Sequence, residues 1–405
     1  MDRFEHLYSD MAKRVKPSDV REILKLMQDP EIISFAGGMP NPDTFPVAAI
    51  KEIAIRVLED SPVTTLQYGT TEGYNPLRET MAEYMSSQRV DCSIDNVLIM
   101  SGATQAIALT AELFLDNGAT VLTESPTFLA GLICFRNYGA RIIGLGMDDD
   151  GVRADLLEEK LRALAKQEIR PPLFYTIPNF QNPTGVTLSE SRRRRIVDLA
   201  NEFDFIVLED DPYCHLRFEG EHIRPIKSFD DSGRVIYTSS FSKILSPGMR
   251  LGWTVADAEL TRKLALLKQT SDVSTNVFSQ RIANEYVKGK YFERQLPIIK
   301  EIYGRKQKIM LSALERYFPE SARWTRPKGG MFLWVELQRN IDTKAMFPKA
   351  IERKVAYVQG SCFFPDDSGK NTMRLNFTHP ADEKIDEGIR RLGSLIDAEM
   401  KASSA

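Results

Sequence analysis

Through the middle of the chain, short apolar runs rich in β-branched residues alternate with longer stretches of helical character. Val97–Met100, Thr120–Glu124, Arg141–Leu145, Leu173–Ile177, Phe205–Glu209, Val235–Ser239 and Leu251–Ala256 read as strands. Between them, the Ala-rich Thr104–Leu115, the amphipathic Asp155–Lys166 and the basic stretch Ser189–Phe203 read as helices. This alternation predicts an α/β fold with a mostly parallel sheet covered on both faces. After about Leu260 the pattern turns helical, over Lys263–Leu267, Phe278–Lys288 and the region of Ile298–Tyr317. Strand and helix patterns then return: Met331–Leu337, Lys344–Arg353, Met373–Phe377 and Ala381–Lys401. The expected organisation is an N-terminal segment at 1–48, a large α/β domain at 49–285 and a smaller α+β domain at 286–405. The N-terminal segment is expected to pack with the small domain. No internal repeat or low-complexity linker interrupts this scheme.

Composition narrows the class. A chain of 405 residues, 42% hydrophobic and 27% charged, is long enough to bury a core without disulfide or metal staples. Lys+Arg 53 against Asp+Glu 56 gives a formal net charge of -3, which argues against a general nucleic-acid binder. Cys92, Cys134, Cys214 and Cys362 form no CxxC pair, so no metal site is expected and a reducing compartment is. The first fifteen residues, MDRFEHLYSDMAKRV, lack a signal-peptide core, and no apolar run reaches the ~18 residues of a membrane span. The expectation is a cytoplasmic protein with no membrane or nucleic-acid partner.

Ligands of open α/β sheets collect at the carboxyl ends of the strands, and four predicted strand ends carry chemistry. After Val97–Met100 come Ser101, Gly102, Ala103 and Thr104, either a plain strand-to-helix turn or a cup for an anion at a helix start. No GxGxxG or GxxxxGK accompanies it, so a phosphate here is not held in the Rossmann or Walker manner. After Val235–Ser239 come Ser240, Phe241, Ser242 and Lys243, with Arg250 beyond. A lysine partly removed from water becomes a usable nucleophile toward an aldehyde, and the two hydroxyls with Arg250 suit a phosphate dianion. After Phe205–Glu209 come Asp210 and Tyr213: Asp210 either caps the turn before Pro212 or, buried at the strand end, faces a cationic ring nitrogen that the phenol three residues on reaches from another edge. Asn182, in the turn NFQNPTG, offers a further neutral donor. Lysine, acid and phosphate cup together meet the specification of pyridoxal 5'-phosphate, which needs a Schiff-base lysine and an acidic partner for its ring nitrogen.

With these residues in view, the chain resembles the fold-type I, class I/II pyridoxal-phosphate aminotransferases, in the branch of 2-aminoadipate, kynurenine and aromatic aminotransferases. Phe35–Pro46 (FAGGMPNPDTFP), Leu66–Glu79 (LQYGTTEGYNPLRE), NFQNPTG, EDDPY, SFSKILSPGMRLGW and TMRLNF match in family order, from about residue 20 onward. The resemblance implies that Lys243 carries the cofactor and shuttles the substrate Cα proton, with Asp210 on the pyridinium. It implies Asn182 and Tyr213 on the ring oxygen and Phe128 stacked on the ring face. Gly102, Ala103, Thr104, Ser240, Ser242 and Arg250 would hold the phosphate, joined by Tyr68 from the neighbouring subunit of a homodimer. Arg374 would clamp the substrate α-carboxylate, with Gly38, Asn182 and Tyr68 also lining the substrate site. Relatives often carry a hydroxyl residue where Ala103 stands and Tyr where Phe128 stands.

The activity this implies is transfer of the amino group of an L-amino acid (aromatic, 2-aminoadipate-like or long aliphatic) to a 2-oxo acid, with 2-oxoglutarate the usual acceptor, by a ping-pong mechanism. The alternative keeps the cofactor and changes the outcome to β-elimination, decarboxylation or racemisation. A third class, a transcriptional regulator with an aminotransferase-like domain, needs a helix-turn-helix module ahead of FAGG; Phe35 leaves little room for one, and the slight acidity disfavours it. The segment Met11–Met39 and the surroundings of Tyr68 are expected to shape the side-chain pocket.

Overall fold

The computed structural model describes residues 3–15 and 29–403. Part of the segment expected to shape the pocket, residues 16–28, therefore lies outside the described residues. The strands in chain order are β1 (Ile33–Ser34), β2 (Val97–Met100), β3 (Thr120–Ser125), β4 (Arg141–Asp148), β5 (Gly151–Val152), β6 (Leu173–Thr176) and β7 (Ile206–Asp210). They continue with β8 (Val235–Ser240), β9 (Gly252–Val255), β10 (Arg323–Trp324), β11 (Phe332–Glu336), β12 (Val355–Ala356), β13 (Val358–Gln359) and β14 (Thr372–Asn376).

The large sheet has the order β2-β9-β8-β7-β6-β3-β4-β5. Strands β4, β3, β6, β7 and β8 run parallel, while β9 is antiparallel to both β2 and β8, and β5 to β4. The antiparallel β9 qualifies the mostly parallel expectation. A parallel return needs a crossover element, whereas β8 and β9 are joined only by two 3-10 turns, Phe241–Lys243 and Pro247–Met249. Every residue of β2, β6 and β8 is buried, because helices cover both faces and leave no solvated side to alternate toward. Successive residues feed opposite layers. Leu173 and Tyr175 join the core that includes the helix Ala103–Phe114, while Phe174 between them packs with the helices Ala154–Ala165 and Glu190–Phe203.

A second, antiparallel sheet of order β10-β11-β14-β13 is built from the C-terminal part, with the helices Tyr291–Tyr317 and Asp382–Ser403 packed against each other beside it. The helices Val47–Asp60, Asn75–Ser87 and Leu129–Asn137 and the two-residue strands were not anticipated from the sequence. The residues around Phe35 are tied into the C-terminal layer. Strand β1 pairs in parallel with β12, the Phe35 amide donates to the Ala356 carbonyl at 2.8 Å, and the Phe35 carbonyl accepts from the Asn376 amide at 2.8 Å. Phe35 is fully buried, and a Cβ at Gly388 would stand 2.6 Å from its ring, so a glycine is needed where this helix passes. These ties deliver Gly38 to the carboxyl ends of the large sheet.

Candidate active site

The carboxyl ends of β2, β6, β7 and β8, together with β14, enclose a cavity of about 300 Å³. Asp210 is the last residue of β7 and is buried. Its Oδ2 accepts from the Tyr175 hydroxyl at 2.7 Å, while its Oδ1 has no hydrogen-bond partner. Burial pushes the Asp210 carboxyl up to about 7; the Tyr175 hydrogen bond pulls the other way and neighbouring Asp211 adds to the rise. A buried carboxylate with half of its accepting capacity unused calls for a cation or a donor in the cavity.

Tyr213 follows β7 and sits edge-on to Phe332, its hydroxyl accepting from Asn182 Nδ2 at 3.4 Å. Asn182 Oδ1 in turn accepts from Arg374 Nη1 at 2.8 Å. Arg374 lies on β14 between its register partners Trp334 and Val358, with Nη2 donating to the Ala36 carbonyl at 2.8 Å and Nε unpartnered. The rings of Phe332 and Phe363 stand 4.4 and 5.1 Å from its guanidinium carbon. Burial lowers its proton affinity to about 10, Tyr213 and Cys362 opposing, and no carboxylate among the described residues pairs with it. An enclosed cation held by neutral partners is a receptor for an anion.

Lys243 ends the 3-10 turn after β8. The turn is set by the Ser240 hydroxyl, which accepts from the Ser242 amide at 3.1 Å and donates to the Ser242 hydroxyl at 2.9 Å. Lys243 Nζ donates to the Gly38 carbonyl at 2.8 Å. Burial, with Arg374 and Arg250 nearby, lowers its amine to about 8, so near neutrality it gives up its proton far more readily than a solvated lysine does.

Opposite stands the start of the helix Ala103–Phe114, which carries no side-chain cap, so its first N–H groups are available to an anion. Gly102 before it has φ +89, and a Cβ there would come within 2.7 Å of Arg250 Nη2. Arg250 itself is exposed and left-handed, at φ 48. Ala103 and Thr104 line the cavity with Ser240, Ser242 and Arg250, and Phe128, at the cap of the helix Leu129–Asn137, lines it from another side.

The structure thus brings twelve of the fourteen residues singled out from the sequence to the cavity wall, and Gly102 lies directly behind Arg250. Tyr68 is the exception: it does not line the cavity, and 81% of its surface is exposed. Three buried polar residues escaped the sequence reading. Besides Tyr175, Glu124 at the end of β3 accepts from the Thr176 hydroxyl (2.6 Å), the Ile177 amide (3.2 Å) and Gln181 Nε2 (3.0 Å). Gln181 also donates to the Pro126 carbonyl and accepts from the amide and hydroxyl of Thr184. It thereby ties the loop that carries Phe128 to the turn that carries Asn182. In the sequence Tyr175 and Glu124 are single polar groups at strand positions and Gln181 one of several polar residues in its turn, so none stands out. Among the described residues there is no group of potential metal ligands and no helix long and apolar enough to cross a membrane.

Comparison with known proteins converges on one family. A family model described as aminotransferase class I and II matches residues 30–392. The chain is 48% identical to aromatic-amino-acid aminotransferase 1 of Thermococcus litoralis, over 98% of this chain and 96% of the relative. It superimposes on a multiple substrate aminotransferase from Thermococcus profundus with a TM-score of 0.94 at 48% identity, covering 99% of this chain and 100% of the other. Alpha-aminoadipate aminotransferase of Thermus thermophilus, solved with N-(5'-phosphopyridoxyl)-L-leucine, matches at TM-score 0.91 and 36% identity, over 98% of this chain and 99% of the other.

Proposed function

Since the chain belongs to the class I and II aminotransferases and is a transaminase of amino acids, we propose that pyridoxal 5'-phosphate is its cofactor and the cavity at the strand ends its site. One observation carries this reading: the buried Asp210 keeps an unpartnered Oδ1 in the same cavity as a lysine of lowered proton affinity. A pyridinium supplies the missing cation and an aldehyde the partner for the amine. Lys243 would hold the cofactor covalently and Asp210 its ring nitrogen. Phe128 would cover a ring face, and Asn182 and Tyr213 the ring oxygen. The helix start Gly102–Thr104, with Ser240, Ser242 and Arg250, would hold the phosphate. Bound there, the cofactor supplies a sink for the electron pair released when the substrate Cα loses its proton.

The remaining work falls to the side chains. Arg374 grips the substrate α-carboxylate with its free donor capacity and so fixes where Cα stands. Asn182 and the Ala36 carbonyl hold that guanidinium in place. Lys243, its amine freed when the amino group of the substrate takes its place, would take the Cα proton and hand it on to the far side of the transfer. Phe128, Ile107 and Ile177 give the cavity an apolar wall, suited to an aromatic, 2-aminoadipate-like or long aliphatic donor. 2-Oxoglutarate would be the acceptor, in a ping-pong cycle.

We also propose a homodimer in which Tyr68 of a second copy completes the phosphate site. Exposed Val47, Ile55, Leu58, Val63 and Leu66, in the stretch leading to Tyr68, support that interface. A cytoplasmic location fits four cysteines that form no disulfide with one another. The division at residues 48 and 285 fits the separate large and C-terminal sheets, with β1 joining the C-terminal layer. The decisive test supplies one amino acid and no acceptor to the loaded protein. Transamination yields one equivalent of the matching 2-oxo acid per site and then stops until 2-oxoglutarate is added. Continuous release of ammonia or carbon dioxide would instead favour elimination or decarboxylation.

A further inference from the structure

We propose that Tyr175 is a positioning residue for Asp210: its hydroxyl holds one carboxylate oxygen so that the other is presented, still ionised, to the cofactor ring. This inference rests on the reading that the cavity binds pyridoxal 5'-phosphate. Tyr175 stands on β6, one strand over from Asp210 on β7, and is fully buried. Its hydroxyl donates to Asp210 Oδ2 at 2.7 Å, and among the described residues no other side-chain donor reaches that carboxylate. The ring is seated by packing. It meets Phe135 edge-on at 5.5 Å between centroids, and Gly131 leaves the space behind it, where a Cβ would lie 3.2 Å from a ring carbon. A side chain so confined fixes its hydroxyl closely.

The choice of donor is informative. A lysine or arginine in this place would neutralise Asp210 and compete with the ring for its charge. Burial and the facing Asp210 raise the phenol well above its ordinary value, so Tyr175 remains a neutral donor at any working pH. It stabilises the ionised carboxylate without discharging it. The other titratable groups bearing on the pair are Glu124, Asp211 and Tyr213, and none of them brings a positive charge.

The test is the pH titration of the absorbance of the cofactor-loaded protein. Without the phenol, Asp210 becomes more basic and draws the ring proton toward itself. The ring then carries less positive charge, and the Lys243–cofactor linkage keeps its proton to higher pH. Tyr175→Phe should raise the absorbance midpoint by about half a pH unit or more and lower kcat on the order of tenfold, the scale of one charge-assisted hydrogen bond, with KM little changed. In an Asp210→Asn background the same change should move the midpoint no further. Leu157→Ala, in the core layer on the other face of the sheet, should lower the melting temperature and leave the midpoint alone. If Tyr175→Phe does not fold, Gly131→Ala, which presses on the ring, must move the midpoint in the same direction. An unmoved midpoint in a folded Tyr175→Phe protein overturns the role of Tyr175 alone, whereas a wild-type protein that gains no absorbance band with the cofactor overturns the underlying reading.

Discussion

Arg374 and Asp210 are charged side chains kept from water with hydrogen-bonding capacity left over, and that surplus marks the site more sharply than any motif does. The guanidinium offers a flat fork that an ammonium lacks. Arg374→Lys should therefore raise KM for the amino acid and the 2-oxo acid alike, by about 10–100-fold, corresponding to about 1.5–3 kcal/mol for a charge-assisted pair. A KM change for one substrate only would mean that Arg374 reads a side chain, not the common α-carboxylate. At this scale the sequence was informative because the polar residues follow apolar strands directly, as Asp210 follows Ile206–Glu209 and Lys243 follows Val235–Ser240. It was silent on Tyr175, Glu124 and Gln181. Their partners lie across strands or loops, and periodicity along the chain carries no record of which residue of one strand faces which residue of the next.

The strand-to-helix turn at Gly102 concentrates the demands on a single element. The backbone there is left-handed, and the space a Cβ would need is taken by Arg250. Gly102→Ala should cost about 1–3 kcal/mol of stability through backbone strain and displace Arg250 from the helix start. Its Tm should fall, and cofactor should be lost more readily on gel filtration than from wild type; unchanged retention would mean that the cup does not hold the phosphate. The central strands were legible as continuous buried runs. The helices Val47–Asp60 and Asn75–Ser87 were not, because the strand–helix alternation that organised the reading begins only at Val97. The direction of the antiparallel β9 was missed as well: a fully buried strand has the same composition in either direction, and only the short link from β8, with no room for a crossover helix, marked it. The pairing of β1 with β12 spans two residues each, too few to leave a pattern.

Across the whole molecule, the cofactor-free protein carries a burden of buried acid. Burial raises Glu124 to about 7, Glu209 to about 8 and Asp210 to about 7. Between the ordinary carboxylate range and these values, the folded chain holds protons that the unfolded chain has released, so these groups cost stability as pH rises through that window. Buried His215, lowered to about 3, acts in the opposite sense below its ordinary value near 6.5, so the informative quantity is a difference between variants. Without cofactor, Asp210→Asn should melt above wild type at pH 8 by an amount on the order of 1–3 kcal/mol, the cost of an unpaired buried charge, and the gap should narrow at pH 5. Equal melting at both values would mean that Asp210 is already compensated within the chain. The chemistry of the site turns on where the cofactor is attached. Borohydride reduction of the loaded protein followed by peptide mapping should place the phosphopyridoxyl label on Lys243, and Lys243→Ala should take up none; a label on another lysine, or an unmodified Lys243 in a protein that still transaminates, would contradict it.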